Sequence, residues 1–215
     1  MNNEEKLNLI RSTGIIAIMR ANESEQLIDA VQAIFDGGIR AIEVTLTTPG
    51  ALKVINKVNE KFGENILFGA GTVLDSESAI LAINAGADFI VSPNLNIEVL
   101  KASLRYSIPV FPGCFSPTEV LTAWQSGATM VKLFPADVGG PAMIKAIRSP
   151  LPQVEIIPVG GVDLSTTADF IRNGASAVGV GGSLVNQEIL NSGEFSQLTQ
   201  LAEQFLVEVA KGRSE

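Results

Sequence analysis

The sequence predicts a single α/β domain over residues 1–215, folded as a closed (β/α)8 barrel. Two observations carry this fold class. Short apolar, β-branched segments alternate with longer segments of helical spacing along the whole chain, and there are eight of the short segments. Glycine-containing junctions also recur between them at nearly even intervals, which is typical of a repeated unit.

The eight strand-like segments are rich in aliphatic and β-branched residues, as buried parallel strands are. In chain order they are Ile15–Met19, Ala41–Leu46, Leu67–Val73, Phe89–Ser92, Pro109–Phe111, Met130–Phe134, Glu155–Val159 and Ala177–Val180. Between the first two, Leu27, Val31 and Ile34 recur at helical spacing. Strands that alternate with helices in this way indicate βα units and a parallel sheet.

Four similar junctions close a predicted helix and open the second, fourth, sixth and eighth strand. They are Asp36-Gly37-Gly38-Ile39, Asn84-Ala85-Gly86-Ala87, Gln125-Ser126-Gly127-Ala128 and Arg172-Asn173-Gly174-Ala175. Glycine fits the left-handed position at a helix end. A βαβα unit that occurs four times favours a closed barrel. A doubly wound open sheet is the alternative, but such sheets usually carry a glycine-rich loop after strand one, where this chain has Met19-Arg20-Ala21-Asn22.

Composition narrows the functional classes. Hydrophobic residues make up 46% of the chain and charged residues 18%, so it can bury a large core and is not expected to be disordered. The formal net charge of −8 argues against non-specific binding to nucleic acid. A single cysteine, the lack of a leader pattern in Met1–Glu5 and the lack of a long apolar run predict a cytoplasmic protein without membrane contact.

The chain contains no histidine, which excludes His-based triads and His metal ligands. Proton transfer then falls to carboxylates, lysines, Tyr106, Cys114 or water. Metal binding has little support without His or a Cys pair, although an all-oxygen Mg²⁺ site is not excluded by composition. We therefore expect no metal.

Two charged residues stand in the middle of predicted strands. Of the eight lysines, only Lys132 lies in a strand, and Glu43 is the only acid at such a position. Strand alternation places Glu43 and Lys132 inside the barrel, with aliphatic neighbours facing the helices. Burial lowers the pKa of an amine and makes it a nucleophile. The structural alternative is a buried ion pair, or a lysine that extends to the rim.

Further candidates lie at the carboxyl ends of strands, where barrel active sites open. Arg20 ends the first strand and Thr72 the third. Arg20 could clamp a carboxylate or phosphate, or form a rim salt bridge. Gly160-Gly161 follows the seventh strand and Gly181-Gly182-Ser183 the eighth, where backbone N–H groups commonly bind phosphate. Each glycine pair alone could serve turn geometry only.

Several motifs together resemble the 2-keto-3-deoxy-6-phosphogluconate/4-hydroxy-2-oxoglutarate (KDPG/KHG) aldolases, which are class I lyases with a TIM-barrel fold. The motifs are Glu43-Val44-Thr45-Leu46-Thr47-Thr48-Pro49, Gly69-Ala70-Gly71-Thr72-Val73, Ser92-Pro93, Val131-Lys132-Leu133-Phe134-Pro135, Val159-Gly160-Gly161-Val162 and Gly179-Val180-Gly181-Gly182-Ser183. They occur in the family's order from about Ile15 to Ser183.

The resemblance implies that Lys132 forms an imine with the keto acid and that Glu43 is the general acid/base. It further implies homotrimers that need no metal and, because the imine forms on Lys132 itself, no cofactor. Binding roles are implied for two sets of residues. The pyruvate pocket would contain Arg20, Thr72, Pro93 and Phe134, and the phosphate site Gly160, Gly161, Gly182 and Ser183.

One position departs from the family pattern. Many members carry an arginine that contacts the substrate carboxylate where this chain has Thr47, so Arg20 or Thr72 is a candidate to supply that contact. The resemblance implies cleavage of KDPG to pyruvate and glyceraldehyde 3-phosphate, and also of 4-hydroxy-2-oxoglutarate. A 2-keto-3-deoxy-6-phosphogalactonate aldolase, a phosphate-binding isomerase or epimerase, and a non-catalytic scaffold are the alternatives.

Overall fold

The computed structural model describes residues 1–24 and 26–214. Its parallel strands are β1 (Ile15–Met19), β2 (Ala41–Thr45), β3 (Leu67–Gly71), β4 (Ile90–Val91), β5 (Val110–Phe111), β6 (Gly113–Cys114), β7 (Met130–Leu133), β8 (Glu155–Pro158) and β9 (Val178–Val180). Its helices are α1 (Asn3–Thr13), α2 (Leu27–Asp36), α3 (Ala51–Phe62), α4 (Ser76–Asn84), α5 (Ile97–Arg105), α6 (Pro117–Gln125), α7 (Gly140–Arg148), α8 (Thr167–Arg172), α9 (Gln187–Ser192) and α10 (Ser196–Ser214).

The strands close into an eight-stranded barrel. One sheet has the order β5-β4-β3-β2-β1-β9 and the other β6-β7-β8. The parallel bridge between Val159 and Gly179 joins β8 to β9. At the opposite seam, Pro112 separates β5 from β6, and its carbonyl accepts a hydrogen bond of 2.9 Å from the Lys132 N–H. Since β5 and β6 are two halves of the fifth barrel strand, the predicted (β/α)8 barrel is confirmed.

Strand alternation divides the apolar residues into two layers. On β2, Ile42 and Val44 belong to the large cluster packed between the strands and the helices, whereas Ala41 belongs to a smaller cluster inside the barrel. The aromatic rings of Phe89 and Phe111 fill the centre of this inner cluster, with centroids 5.6 Å apart. The barrel interior is therefore packed below the level of Glu43.

Helix α1 covers the amino-terminal end of the barrel, a feature that the sequence analysis did not predict. Leu7 and Ile10 enter the inner cluster and are 3% and 1% exposed. Two ion pairs hold the helix there. Lys6 contacts Asp88 at 2.8 Å, and Arg11 donates two hydrogen bonds, of 2.7 and 2.9 Å, to the carboxylate of Glu155 at the start of β8.

The four predicted junctions adopt one common conformation. Gly38, Gly86, Gly127 and Gly174 have φ values of 98°, 99°, 103° and 101°. Side chains rarely adopt this region, so glycine is required where each helix turns back towards the barrel. At the other end of the barrel, side chains cap the first turn of four helices by accepting hydrogen bonds from backbone N–H groups. These residues are Asp75 of α4, Asn96 of α5, Ser116 of α6 and Asn186 of α9.

The packing of α1 predicts a graded loss of stability. Ile10→Ala removes a fully buried side chain and should lower the free energy of unfolding by about 2–5 kcal/mol, while Ile10→Val should lower it by about 0.5–1.5 kcal/mol. Urea unfolding monitored by circular dichroism measures both values. Equal stability of Ile10→Ala and the parent protein would show that α1 does not seal the barrel.

Candidate active site

A cavity of about 560 Å³ opens at the carboxyl ends of the strands. This is the end at which barrel enzymes hold their substrates. The lining residues come from the strands or from the loops that follow them, and the fifth barrel strand, β5/β6, contributes none of them. They are Ile18, Arg20, Asn22, Glu43, Thr45, Thr72, Pro93, Lys132, Phe134, Val159, Gly160, Gly161, Val162, Gly179, Gly181, Gly182, Ser183, Val185, Asn186 and Gln187.

Glu43 and Lys132 form the floor of the cavity. Strand register fixes both: Glu43 lies beside Ile18 of β1 and Gly69 of β3, and Lys132 lies beside Gly113 and Ile157. Their exposed fractions are 2% and 7%. Within residues 1–24 and 26–214, neither side chain has a hydrogen-bond or salt-bridge partner, so both present their reactive atoms to the cavity.

Glycines in β3 make room for the buried carboxyl group. A Cβ atom at Gly71 would lie 2.3 Å from Oε1 of Glu43, and one at Gly69 would lie 2.4 Å from the ring of Phe89. Both distances are far below van der Waals contact, so any side chain at these positions would displace the carboxylate or the ring beneath it. Gly71 is therefore required by the buried carboxyl group of Glu43, and Gly69 by the ring of Phe89.

Burial shifts the pKa values of Glu43 and Lys132 in opposite directions. It raises the pKa of Glu43, and the positive charges of Lys132 and Arg20 oppose that effect. It lowers the pKa of Lys132; the carboxylate of Glu43 opposes this, and the guanidinium of Arg20 adds to it. The amine is thus shifted towards its neutral, nucleophilic form, and the carboxyl group towards holding a proton.

One wall beside the amine carries Thr72, Pro93 and Phe134. The ring centroid of Phe134 lies 4.8 Å from Nζ of Lys132, which leaves the amine an apolar neighbour on that side. Thr72 has φ 58°, a strained value for a residue with a branched side chain. Its hydroxyl has no hydrogen-bond partner in the described ranges, and the residue lines the cavity.

The opposite wall is backbone. Gly160 and Gly161 have φ values of 97° and 68°, and a Cβ at Gly182 would meet nothing within 4 Å. Among the described residues, the N–H groups of Gly161, Gly182 and Ser183 have no acceptor. Unpaired N–H groups in a concave loop are a common binding site for an anion such as phosphate.

Comparison with known proteins identifies the family. The model of the family described as KDPG and KHG aldolase matches residues 7–201. The chain belongs to this family of aldolases. The predicted family and enzyme class, a carbon–carbon lyase, are therefore confirmed.

Relatives of this aldolase cover nearly its whole length. A 2-dehydro-3-deoxy-phosphogluconate aldolase of Treponema pallidum is 36% identical over 94% of this chain and 95% of its own. A 2-dehydro-3-deoxy-6-phosphogalactonate aldolase of Escherichia coli is 35% identical over 79% of this chain and 83% of its own. A KDPG aldolase from Legionella pneumophila, with pyruvate captured at low pH as a covalent carbinolamine intermediate, superposes with a TM-score of 0.85 at 31% identity, covering 92% and 96% of the two chains.

The structure brings together all of the predicted site residues of the aldolase except Thr47. That residue lies outside the cavity, in a neighbouring concavity between α3 and α4. Its hydroxyl is 2.9 Å from that of Thr45, which does line the cavity. Arg20 lies on the rim, exposed, and its guanidinium has no partner in the part of the chain that the structure describes.

Sequence reasoning missed three polar cavity residues, Asn22, Asn186 and Gln187. Asn22 follows Arg20 by two positions, and the other two follow the glycine pair after β9, so closeness to motif residues was the available indication.

Cys114 is buried, and burial raises the pKa of its thiol to about 12, which makes it a packing residue. The described residues contain no metal-type cluster of three His, Cys, Asp or Glu side chains and no helix long and apolar enough to cross a membrane.

The positive charge of Arg20 affects the pKa of Lys132, so removal of that charge should change the pH at which the amine titrates. Carbamylation of Lys132 by cyanate, followed by peptide mapping across pH, reports its titration, with exposed Lys57 as an internal reference. Because the guanidinium of Arg20 lowers the pKa of Lys132, Arg20→Gln should move the midpoint to higher pH. Arg105→Gln removes a distant positive charge and should not. An unchanged midpoint in Arg20→Gln would contradict this electrostatic account.

Proposed function

We propose that this aldolase cleaves 2-keto-3-deoxy-6-phosphogluconate to pyruvate and glyceraldehyde 3-phosphate through an imine on Lys132, with residues 1–215 acting as one catalytic domain. The observation that carries the proposal is the unpartnered, buried amine of Lys132, which shares the cavity floor with Glu43 below an anion cradle. The covalent carbinolamine in the relative from Legionella pneumophila supports it, because a carbinolamine is the product of an amine adding to a ketone.

The reaction begins when neutral Lys132 attacks the C2 ketone to give a carbinolamine. Protonated Glu43 gives its proton to the departing hydroxyl group, so that water leaves, an iminium forms and Glu43 becomes a carboxylate. This carboxylate, through a water molecule, then removes the proton of the C4 hydroxyl. The C3–C4 bond breaks, its electron pair moves into the iminium, and glyceraldehyde 3-phosphate leaves. Protonation of the resulting enamine at C3 and hydrolysis of the imine release pyruvate and restore the amine.

The two walls of the cavity are assigned to different parts of the substrate. We assign Thr72, Pro93 and Phe134 to the pyruvate end of the substrate. The N–H groups of the loops after β8 and β9 are assigned to the phosphate, through Gly160, Gly161, Gly182 and Ser183. Thr47 acts on the substrate through its contact with Thr45. Phosphate binding then aligns C3 and C4 with the catalytic pair, so that energy from the remote group assists the chemical step.

The relative from Escherichia coli favours the galactonate epimer as a second candidate substrate. The family description favours 4-hydroxy-2-oxoglutarate as a third, with glyoxylate as the aldehyde product. Comparison of kcat/KM for the three keto acids decides among them. In each case the proposed chemistry at C2 and C3 is the same.

The proposed setting follows from the same resemblance. The imine supplies the electron sink, so we propose that no metal or organic cofactor takes part. The protein is proposed to act as a homotrimer in the cytoplasm, in the Entner–Doudoroff breakdown of sugar acids. Exposed apolar side chains near the cavity mouth, Phe115, Phe134 and Val138, are consistent with a subunit contact there.

Borohydride trapping tests the imine. Incubation with pyruvate and borohydride should leave a stable adduct, which peptide mapping should place on Lys132. Lys132→Ala should show neither adduct nor turnover, while Lys145→Ala, which changes an exposed lysine on α7, should behave as the parent protein. A folded protein that cleaves none of the keto acids and forms no adduct would instead support a phosphate-binding isomerase.

Replacement of Glu43 separates proton transfer from imine formation. Glu43→Gln keeps the shape of the side chain but cannot accept the C4 proton, so turnover should fall by about 10²–10⁴-fold. The borohydride adduct with pyruvate should persist in part. Glu60→Gln, an exposed change on α3, serves as the control. Turnover within twofold of the parent protein in Glu43→Gln would rule out Glu43 as the general base.

A further inference from the structure

A buried hydroxyl group lines the cavity next to the catalytic acid. Thr45 follows Glu43 by two positions on β2, so both side chains lie on the inner face of this strand. Thr45 is 1% exposed and is part of the cavity wall. A hydroxyl carries one proton and two lone pairs, so its protein neighbours determine what it can offer to a bound molecule.

The carboxyl group of Glu43 extends towards the level of Thr45. Backbone pairing sets Glu43 opposite Gly69 of β3, and it sets Thr45 opposite Gly71. A Cβ at Gly71 would nevertheless lie 2.3 Å from Oε1 of Glu43, so this oxygen occupies the space beside the partner of Thr45. Within residues 1–24 and 26–214, no hydrogen bond joins Glu43 to Thr45. The groups on which Glu43 acts therefore lie in the layer of the cavity that Thr45 lines.

Two neighbouring hydroxyl groups control the direction of the Thr45 proton. The hydroxyl of Thr48, a residue 2% exposed, accepts a hydrogen bond of 3.2 Å from the Ala21 N–H. Among the described residues, the acceptor open to its own proton is the hydroxyl of Thr45, at 3.4 Å. The hydroxyl of Thr47 lies 2.9 Å from that of Thr45 and can also donate to it. With both lone pairs of Thr45 occupied in this way, its proton is free for an acceptor in the cavity.

We propose that Thr45 donates a hydrogen bond to the C4 oxygen of the substrate and stabilises the negative charge that develops there as the C4 hydroxyl loses its proton. This role rests on the proposed function, because it uses the same imine and the same base. The proton passes to Glu43 and the electron pair of the C3–C4 bond to the iminium, so Thr45 itself neither gains nor loses a proton. A donor that its neighbours orient before the reaction lowers the barrier without reorganisation. Thr47 and Thr48 are positioning residues for this donor.

Cleavage kinetics of hydroxyl variants test the role of Thr45. Thr45→Val keeps the branched shape and removes the hydroxyl, so kcat for cleavage of the phosphorylated keto acid should fall about 10- to 100-fold, the range expected for a lost hydrogen bond to a charged oxygen. The effect should fall mainly on kcat rather than KM, because the charge develops in the transition state. Thr45→Ser, which keeps the hydroxyl, should recover most of the loss. Thr118→Val makes the same change at an exposed position on α6 and should behave as the parent protein.

Pyruvate distinguishes a contact at C4 from a structural role, because it has no C4 oxygen. Exchange of its methyl hydrogens with deuterium in D2O, followed by proton NMR, reports interconversion of the imine and the enamine. In Thr45→Val this exchange and the borohydride adduct should stay within about threefold of the parent protein.

Three results would overturn the role of Thr45. They are parallel losses of exchange and cleavage in Thr45→Val, cleavage by Thr45→Val at the parent rate, and a loss in Thr45→Ser as large as in Thr45→Val. Failure of the proposed function looks different, because the parent protein itself would then form no adduct and would not catalyse the exchange.

Discussion

Desolvation of one amine and one carboxyl group at the centre of the barrel is the constraint on which the rest of the structure depends. Burial penalises both charged forms and favours a neutral amine beside a protonated acid. The surrounding sequence accommodates the pair. Gly71 leaves space for the carboxyl group and Gly69 for the ring of Phe89, and the apolar cluster below the pair excludes water from that side. Burial of Glu43 and Lys132 without hydrogen-bond partners lowers the stability of the fold, and this cost accompanies their reactivity.

The parts of the site that depend on strand parity could be predicted from sequence alone. A charged residue inside an aliphatic strand contradicts its surroundings, and alternation then determines which face it occupies, as it does for Glu43 and Lys132. The same rule places Ile42 and Val44 under the helices. Paired glycines after the last two strands were informative because barrels bind anions there.

Features that depend on the path of a loop or on a distant contact could not be predicted in this way. The turn after β2 carries Thr47 out of the cavity, although it lies only four residues from Glu43 in sequence. Asn186 and Gln187 reach the cavity because Asn186 caps α9 and Gln187 is the first residue of this helix, which begins at the edge of the cavity. Helix α1 is mostly polar, and its role becomes evident only when Leu7 and Ile10 meet the open end of the barrel. Composition contains none of this information.

The charged groups of the cavity also bear on the proposed chemistry. Arg20 repels positive charge on Lys132, which favours a neutral amine in the free enzyme, but the same repulsion opposes the cationic iminium that is proposed as the next step. The carboxylate of Glu43 acts in the opposite sense, because it raises the pKa of Lys132 and so stabilises positive charge on the nitrogen. Burial shifts Glu43 towards its protonated form, so loss of that proton while the imine forms would supply negative charge as the nitrogen becomes cationic. In this aldolase one buried carboxyl group on the cavity floor would therefore serve both proton transfer and stabilisation of the iminium.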